Sequence, residues 1–92
     1  MKVTVRAFAH LRDILGKELE IELPEGETIR GLLAALGESH GGFQEALFDG
    51  PGQLKPLNNI LKNGRNIDFL DQLETQIGDG DVIALFPPAA GG

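Results

Sequence analysis

The chain has 92 residues with 41% hydrophobic content, and fourteen acidic against eight basic side chains give a formal net charge of −6. That length builds one domain around one modest core, and the acidic balance argues against a nucleic-acid partner and for a basic protein surface. With no cysteine, disulfides, thiol catalysis, zinc ribbons and any thioester on the chain's own side chains are excluded.

Val3, Val5 and Ala7 alternate with Thr4, Arg6 and Phe8, a period of two that predicts a first strand with one face buried. Phe8 then falls on the polar face unless a bulge turns it inward. Leu11 to Leu15 reads as a helical turn ended by Gly16, and Leu19, Ile21 and Leu23 alternate with Glu18, Glu20 and Glu22 as a second strand. Those glutamates form a solvated face, since alternate strand positions project in parallel without converging on a metal. Pro24 to Glu27 is a turn, Thr28 an N-cap, and Ile29, Leu32, Leu33 and Leu36 the buried stripe of the main helix. Gly37 is placed for its C-cap.

Gly41-Gly42 marks a loop, followed by a short segment with Phe43, Leu47 and Phe48 at helical spacing, and Asp49-Gly50-Pro51-Gly52 breaks structure again. Leu57 to Lys62 is extended, Asn63-Gly64 is a two-residue hairpin signal, and Arg65 to Ile67 begins the return strand. Asp68 to Ile77 reads as a loop with a short helical turn, and Gly78 to Asp81 turns into a last strand, Val82 to Phe86. Strand, strand, helix, then more strands is a β-grasp arrangement: an α+β domain over residues 1–86, its mixed sheet crossed on one face by the main helix.

Residues 87–92 follow as a flexible Gly-Gly tail. The Pro87-Pro88 pair fixes φ and removes two backbone donors, so the last strand stops near Phe86 and the chain leaves extended. Ala89, Ala90, Gly91 and Gly92 carry almost no side chain. Six residues at about 3.3 Å each reach roughly 20 Å, enough to thread a narrow channel in a partner that closes on bare backbone. At the root of the tail, period two turns Ile83 and Leu85 toward the helix and Val82, Ala84 and Phe86 outward. Because the first and last strands of a β-grasp sheet are neighbours, Phe8 and Phe86 are expected to form an exposed apolar docking patch there, with Pro87 and Pro88 beside it.

Autonomous catalysis has little support. Ser39 stands beside His40, but sequence neighbours do not make a nucleophile and its base, and no G-x-S-x-G surrounds them. His10 and His40 lack an i, i+4 partner, and the Asp-Gly turns lack the remaining ligands of cation or phosphate loops, so neither catalytic nor metal-binding residues are expected. No apolar run approaches eighteen residues, and Met1-Lys2-Val3-Thr4 does not open a signal peptide, so a soluble cytoplasmic protein without membrane contact is the expectation.

The segments VRAFAHLRDILG, KNGRNIDFLDQLETQIGDGD and VIALFPPAAGG together resemble the MoaD and ThiS family of ubiquitin-like sulfur carriers, nearest to archaeal ubiquitin-like small modifiers. The resemblance runs over essentially the whole chain, and its last segment is the most specific. It implies that a ubiquitin-activating-type enzyme uses ATP to adenylate the Gly92 carboxylate, the chain itself holding no cofactor. A thiocarboxylate would follow, as sulfur donor for molybdopterin synthesis beside the synthase large subunit, or an isopeptide with a target lysine. Ala89 is a weaker packing group than many members place there, and the stretch from Gly37 to Leu57 carries nothing over. The competing reading is a protein-interaction module with an inert tail, which predicts no ATP-dependent change at the C-terminus.

Overall fold

The computed structural model describes residues 1–50, 53–54 and 59–87. Strand β1 (Lys2–Ala7) buries Val3, Val5 and Ala7 on one face, as its alternation requires. A 3-10 turn (Ala9–Leu11) and a single helical turn, α1 (Arg12–Leu15), follow and end at Gly16, whose φ of 81° suits a residue without Cβ. Strand β2 (Glu18–Glu22) runs back antiparallel to β1, pairing Arg6 with Glu18 and Lys2 with Glu22. Its glutamates are exposed on an outer strand of the sheet, where charge discourages edge-to-edge association.

Helix α2 (Ile29–Ser39) starts as predicted: the Thr28 hydroxyl accepts from the Gly31 N–H at 3.3 Å, and Ile29, Leu32, Leu33 and Leu36 are fully buried. It does not stop at Gly37. The helix continues to Ser39, and the His40 N–H donates to the Leu36 carbonyl at 2.9 Å. The Gln44 side chain lies over Gly37 instead and donates to the Leu33 carbonyl at 3.3 Å, so a Cβ at this position would displace that side chain. Gln44 belongs to α3 (Phe43–Leu47), which buries Phe43 and Leu47 beside α2.

The chain does not break at Asp49-Gly50. Strand β3 (Phe48–Gly50) pairs antiparallel with β4 (Gln53–Leu54) in a separate two-stranded ladder, while Pro51-Gly52 lie outside the described residues, as do Leu57 and Asn58. Strand β5 (Asn59–Lys62) turns at Asn63-Gly64 into β6 (Arg65–Asn66). Both turn residues take positive φ, 50° and 85°, as a two-residue hairpin turn demands. The return strand ends one residue early, because the Asn66 side chain accepts from the Asp68 N–H at 2.9 Å and starts a 3-10 turn (Ile67–Phe69). A second 3-10 turn (Gln72–Glu74) completes what the sequence read as one.

Strand β7 (Val82–Phe86) closes the sheet, whose order is β2-β1-β7-β5-β6. Among the described strands only the β1–β7 pair is parallel, and the order places the first and last strands side by side within the sheet. Ile83 and Leu85 face the core with Val5, Leu33 and Ile60, and α2 covers that face.

Candidate functional site

The site is built where β7 ends. Phe8 has extended backbone (φ −130°, ψ 160°), and its N–H donates to the Leu85 carbonyl at 3.2 Å, so the parallel ladder runs one residue past Ala7. No bulge intervenes, and Phe8 keeps its place on the face turned away from α2. Phe86 occupies the same face of β7. The two half-buried rings stack with centroids 4.1 Å apart and planes 12° from parallel. Such a pair contributes about 1 kcal/mol beyond the area it hides.

Two guanidinium groups frame the stack. Arg6, two residues before Phe8 on the same strand face, places Cζ 5.7 Å from the Phe8 centroid, and Arg12 places its own at 5.2 Å. Arg12 is held there because its Nε donates to the Ala7 carbonyl at 3.0 Å. Arg6 also reaches Glu18 at 3.7 Å, an exposed ion pair of small energetic weight. With Arg6 paired to Glu18, Arg12 is the guanidinium at the root of the tail that has no ion-pair partner among the described residues, on a chain whose net charge is −6. Pro87 is buried, and the chain passes directly from this anchored point to Pro88 and Gly91-Gly92, which lie outside the described residues.

The expected neighbours Phe8 and Phe86 do meet, but not as the exposed patch read from the sequence: both rings are half-buried because they cover each other, Pro87 is buried, and Pro88 lies outside the described residues. The two arginines were missed. The signal for Arg6 was present in its period-two relation to Phe8. Arg12 carried no such signal, because only the turn over 9–15 swings it back onto the strand. Elsewhere, Ser39 Oγ and His40 Nδ1 do meet, at 3.0 Å, but both also lie against the Leu36 carbonyl, at 3.5 and 3.1 Å, and finish the helix end. Among the described residues no group of three or more acidic or histidine side chains converges as metal ligands, and no helix is long and apolar enough to cross a membrane.

The ThiS family pattern matches residues 5–92. The chain belongs to the ThiS family. It is 36% identical over 93 residues to small archaeal modifier protein 3 of Haloferax volcanii, with all of both chains covered. Sulfur carrier protein CysO of Mycobacterium tuberculosis is 33% identical over 94 residues, again with complete coverage of both. The crystal structure of SAMP1 from Haloferax volcanii matches the fold at a TM-score of 0.86 and 28% identity over the full length of each chain. This ThiS-family chain is therefore a ubiquitin-like β-grasp protein similar to small archaeal modifier and sulfur carrier proteins.

Proposed function

We propose that the chain is an acyl carrier whose working group is the Gly92 carboxylate, presented from residues 87–92 by the domain formed by residues 1–86. The observation that carries this reading is the Phe8–Phe86 stack, 4.1 Å between centroids and placed at the root of the tail. A partner that grips the stack takes hold of the chain a fixed number of residues from Gly92. Pro87 and Pro88 set the exit direction, and glycine at 91 and 92 leaves only backbone to enter a channel.

A carboxylate is a poor electrophile, because its charge is delocalised and oxide is a bad leaving group. In this reading an activating enzyme supplies ATP, a Gly92 oxygen attacks the α-phosphorus, and pyrophosphate leaves. AMP is then the leaving group when a nucleophile arrives at the carbonyl carbon. Hydrosulfide-level sulfur gives a thiocarboxylate, the sulfur donated in molybdopterin synthesis beside the large subunit of the synthase. A lysine amine gives an isopeptide with a target protein. Both outcomes suit a chain without cysteine, since the terminal carbon itself bears the sulfur or the bond. The setting is the cytoplasm, and this chain binds no cofactor.

Deletion of Gly92 tests the reading. It draws the terminal carboxylate back by about 3.5 Å, so that it stands roughly 6.5 to 7 Å from the α-phosphorus, about twice the near-attack distance. ATP–pyrophosphate exchange with the activating enzyme should vanish while the melting temperature stays at the parental value. A truncated chain adenylated at the parental rate overturns the reading.

A further inference from the structure

Among the described residues one large apolar side chain stands in solvent: Phe69, 83% exposed. Its position is fixed from both sides. The Asn66 side chain caps the Asp68 N–H at 2.9 Å, and the Leu70 N–H donates to the Ile67 carbonyl at 2.9 Å. The Asp71 N–H donates to Thr75 Oγ1 at 3.1 Å, and Thr75 is itself buried. Ile67 points into the core from the same 3-10 turn, so the backbone that buries Ile67 holds Phe69 outward. A ring on a mobile loop could fold back onto apolar surface, whereas this one is presented. Beside it runs an open groove of about 580 Å³, lined also by Lys62, Leu70, Thr75 and Gln76.

The charges around Phe69 state what would cover it. Glu74 is paired with Arg30 at 2.7 Å, and Lys62 lies 3.7 Å from Asp81 and donates to the Gln76 carbonyl at 2.9 Å. Asp68 and Asp71, on either side of Phe69, are exposed and have no ion-pair partner among the described residues. Arg65, without an ion-pair partner among the described residues, lines an adjoining groove with Lys62, Asn63 and Leu70. Two copies of a chain of net charge −6 repel one another, which disfavours a second copy as the occupant.

The ladder also places this turn relative to the tail. Asn59 of β5 is opposite Phe86 of β7, and the Asn66 side chain that caps the turn donates to Asn59 Oδ1 at 3.2 Å. The capped turn therefore starts at the end of the sheet from which the tail departs. At about 4.8 Å per strand it lies two strand spacings, or about 10 Å, across from β7. The groove lies on the α2 side of the sheet, where Glu74 meets Arg30, and the stack on the opposite face, so a partner that receives the tail meets both by closing around this end of the sheet.

We infer that Phe69, flanked by Asp68 and Asp71, is a second anchor for the enzyme that activates the tail, inserting into an apolar pocket rimmed by lysine or arginine side chains. This rests on the acyl-carrier reading for the identity of the partner. Two contacts separated across the sheet fix the rotation of the domain, which a single stack at the tail root leaves open.

Calorimetric titration of the chain into the activating enzyme tests it. Phe69→Ala should weaken binding about tenfold or more, and Asp68→Asn with Asp71→Asn about threefold, with a flatter salt dependence. The melting temperature should not change, because the ring contributes little to the core. Exchange at saturating chain should proceed at the parental rate. Equal affinity of Phe69→Ala and the parent overturns the inference even where exchange is normal. So does a dimer seen by sedimentation that Phe69→Ala dissolves while enzyme affinity is unchanged, since a second copy would then be the occupant. A tenfold affinity loss without exchange by any variant, the parent included, supports the second anchor and overturns the acyl reading alone.

Discussion

Asn63 Nδ2 donates to Asp81 Oδ1 at 2.9 Å and so ties the β5–β6 hairpin turn to the residue that enters β7. The same asparagine accepts from the Val82 N–H through Oδ1 at 2.8 Å, and its own N–H donates to the Val82 carbonyl at 2.8 Å. Asp81 also accepts from the Gly78 N–H at 2.7 Å and lies 3.7 Å from Lys62 Nζ. The strand that ends at Phe86 is thereby pinned at its start by a polar lock and at its end by an aromatic one.

The lock makes stability pH-dependent. Partial burial pushes the Asp81 carboxyl up, but the Gly78 and Asn63 hydrogen bonds and the Lys62 charge outweigh it and hold the carboxyl below the ordinary carboxylate range. The folded pKa is lower than the unfolded value of about 3.9. Its contribution is therefore complete above that value and is lost as pH falls through the folded pKa. Asp81→Asn should cost about 1 to 2 kcal/mol at neutral pH and should flatten the loss of stability on acidification below about pH 4. Urea denaturation across that range measures both, and a parental acid slope in the variant would rule out this role for Asp81.

At the other end of β7, Phe86→Ala removes one ring of the stack. Binding to the activating enzyme should weaken by about 2 kcal/mol if the stack is gripped as proposed, with a loss of about 2 kcal/mol in folding stability from the pair and the apolar area it hides. Phe8→Ala should do much the same, and the double variant should fall short of the sum, because either single change already abolishes the pair. Unchanged affinity in a titration, with the fold intact, would remove the stack from the docking surface.

Gly91→Val separates the thinness of the tail from its length. The chain keeps its reach but gains a β-branched side chain where a channel is expected to close on backbone, so activation should fall by steric exclusion. Gly91 is at no core position predicted from the sequence, and substitutions away from packed sites shift stability by less than about 0.5 kcal/mol. Pyrophosphate exchange and a thermal melt, run on the same preparation, should therefore part company. Retention of full exchange would mean that the channel is wide or absent.

Much of this molecule is written in neighbouring residues. The alternation of Val3, Val5 and Ala7 and of Ile83 and Leu85 determined which strand faces enter the core. The spacing of Ile29, Leu32, Leu33 and Leu36 behind Thr28 determined the main helix, and Asn63-Gly64 the hairpin. These are local properties, since side-chain period, caps and positive φ depend on residues a few positions apart. The parallel β1–β7 register, which sets Phe8 against Phe86, is legible only as a consequence of the whole strand order. Gly37 reads as a helix stop until Gln44 arrives from another helix to cover it, and Arg12 reads as surface charge until a turn brings it to the Phe8 ring. Phe69 reads as loop hydrophobicity until Ile67 is buried beneath it. In each of these the deciding partner is remote in sequence or lies across a turn, and its distance is set by packing, which sequence periodicity does not encode.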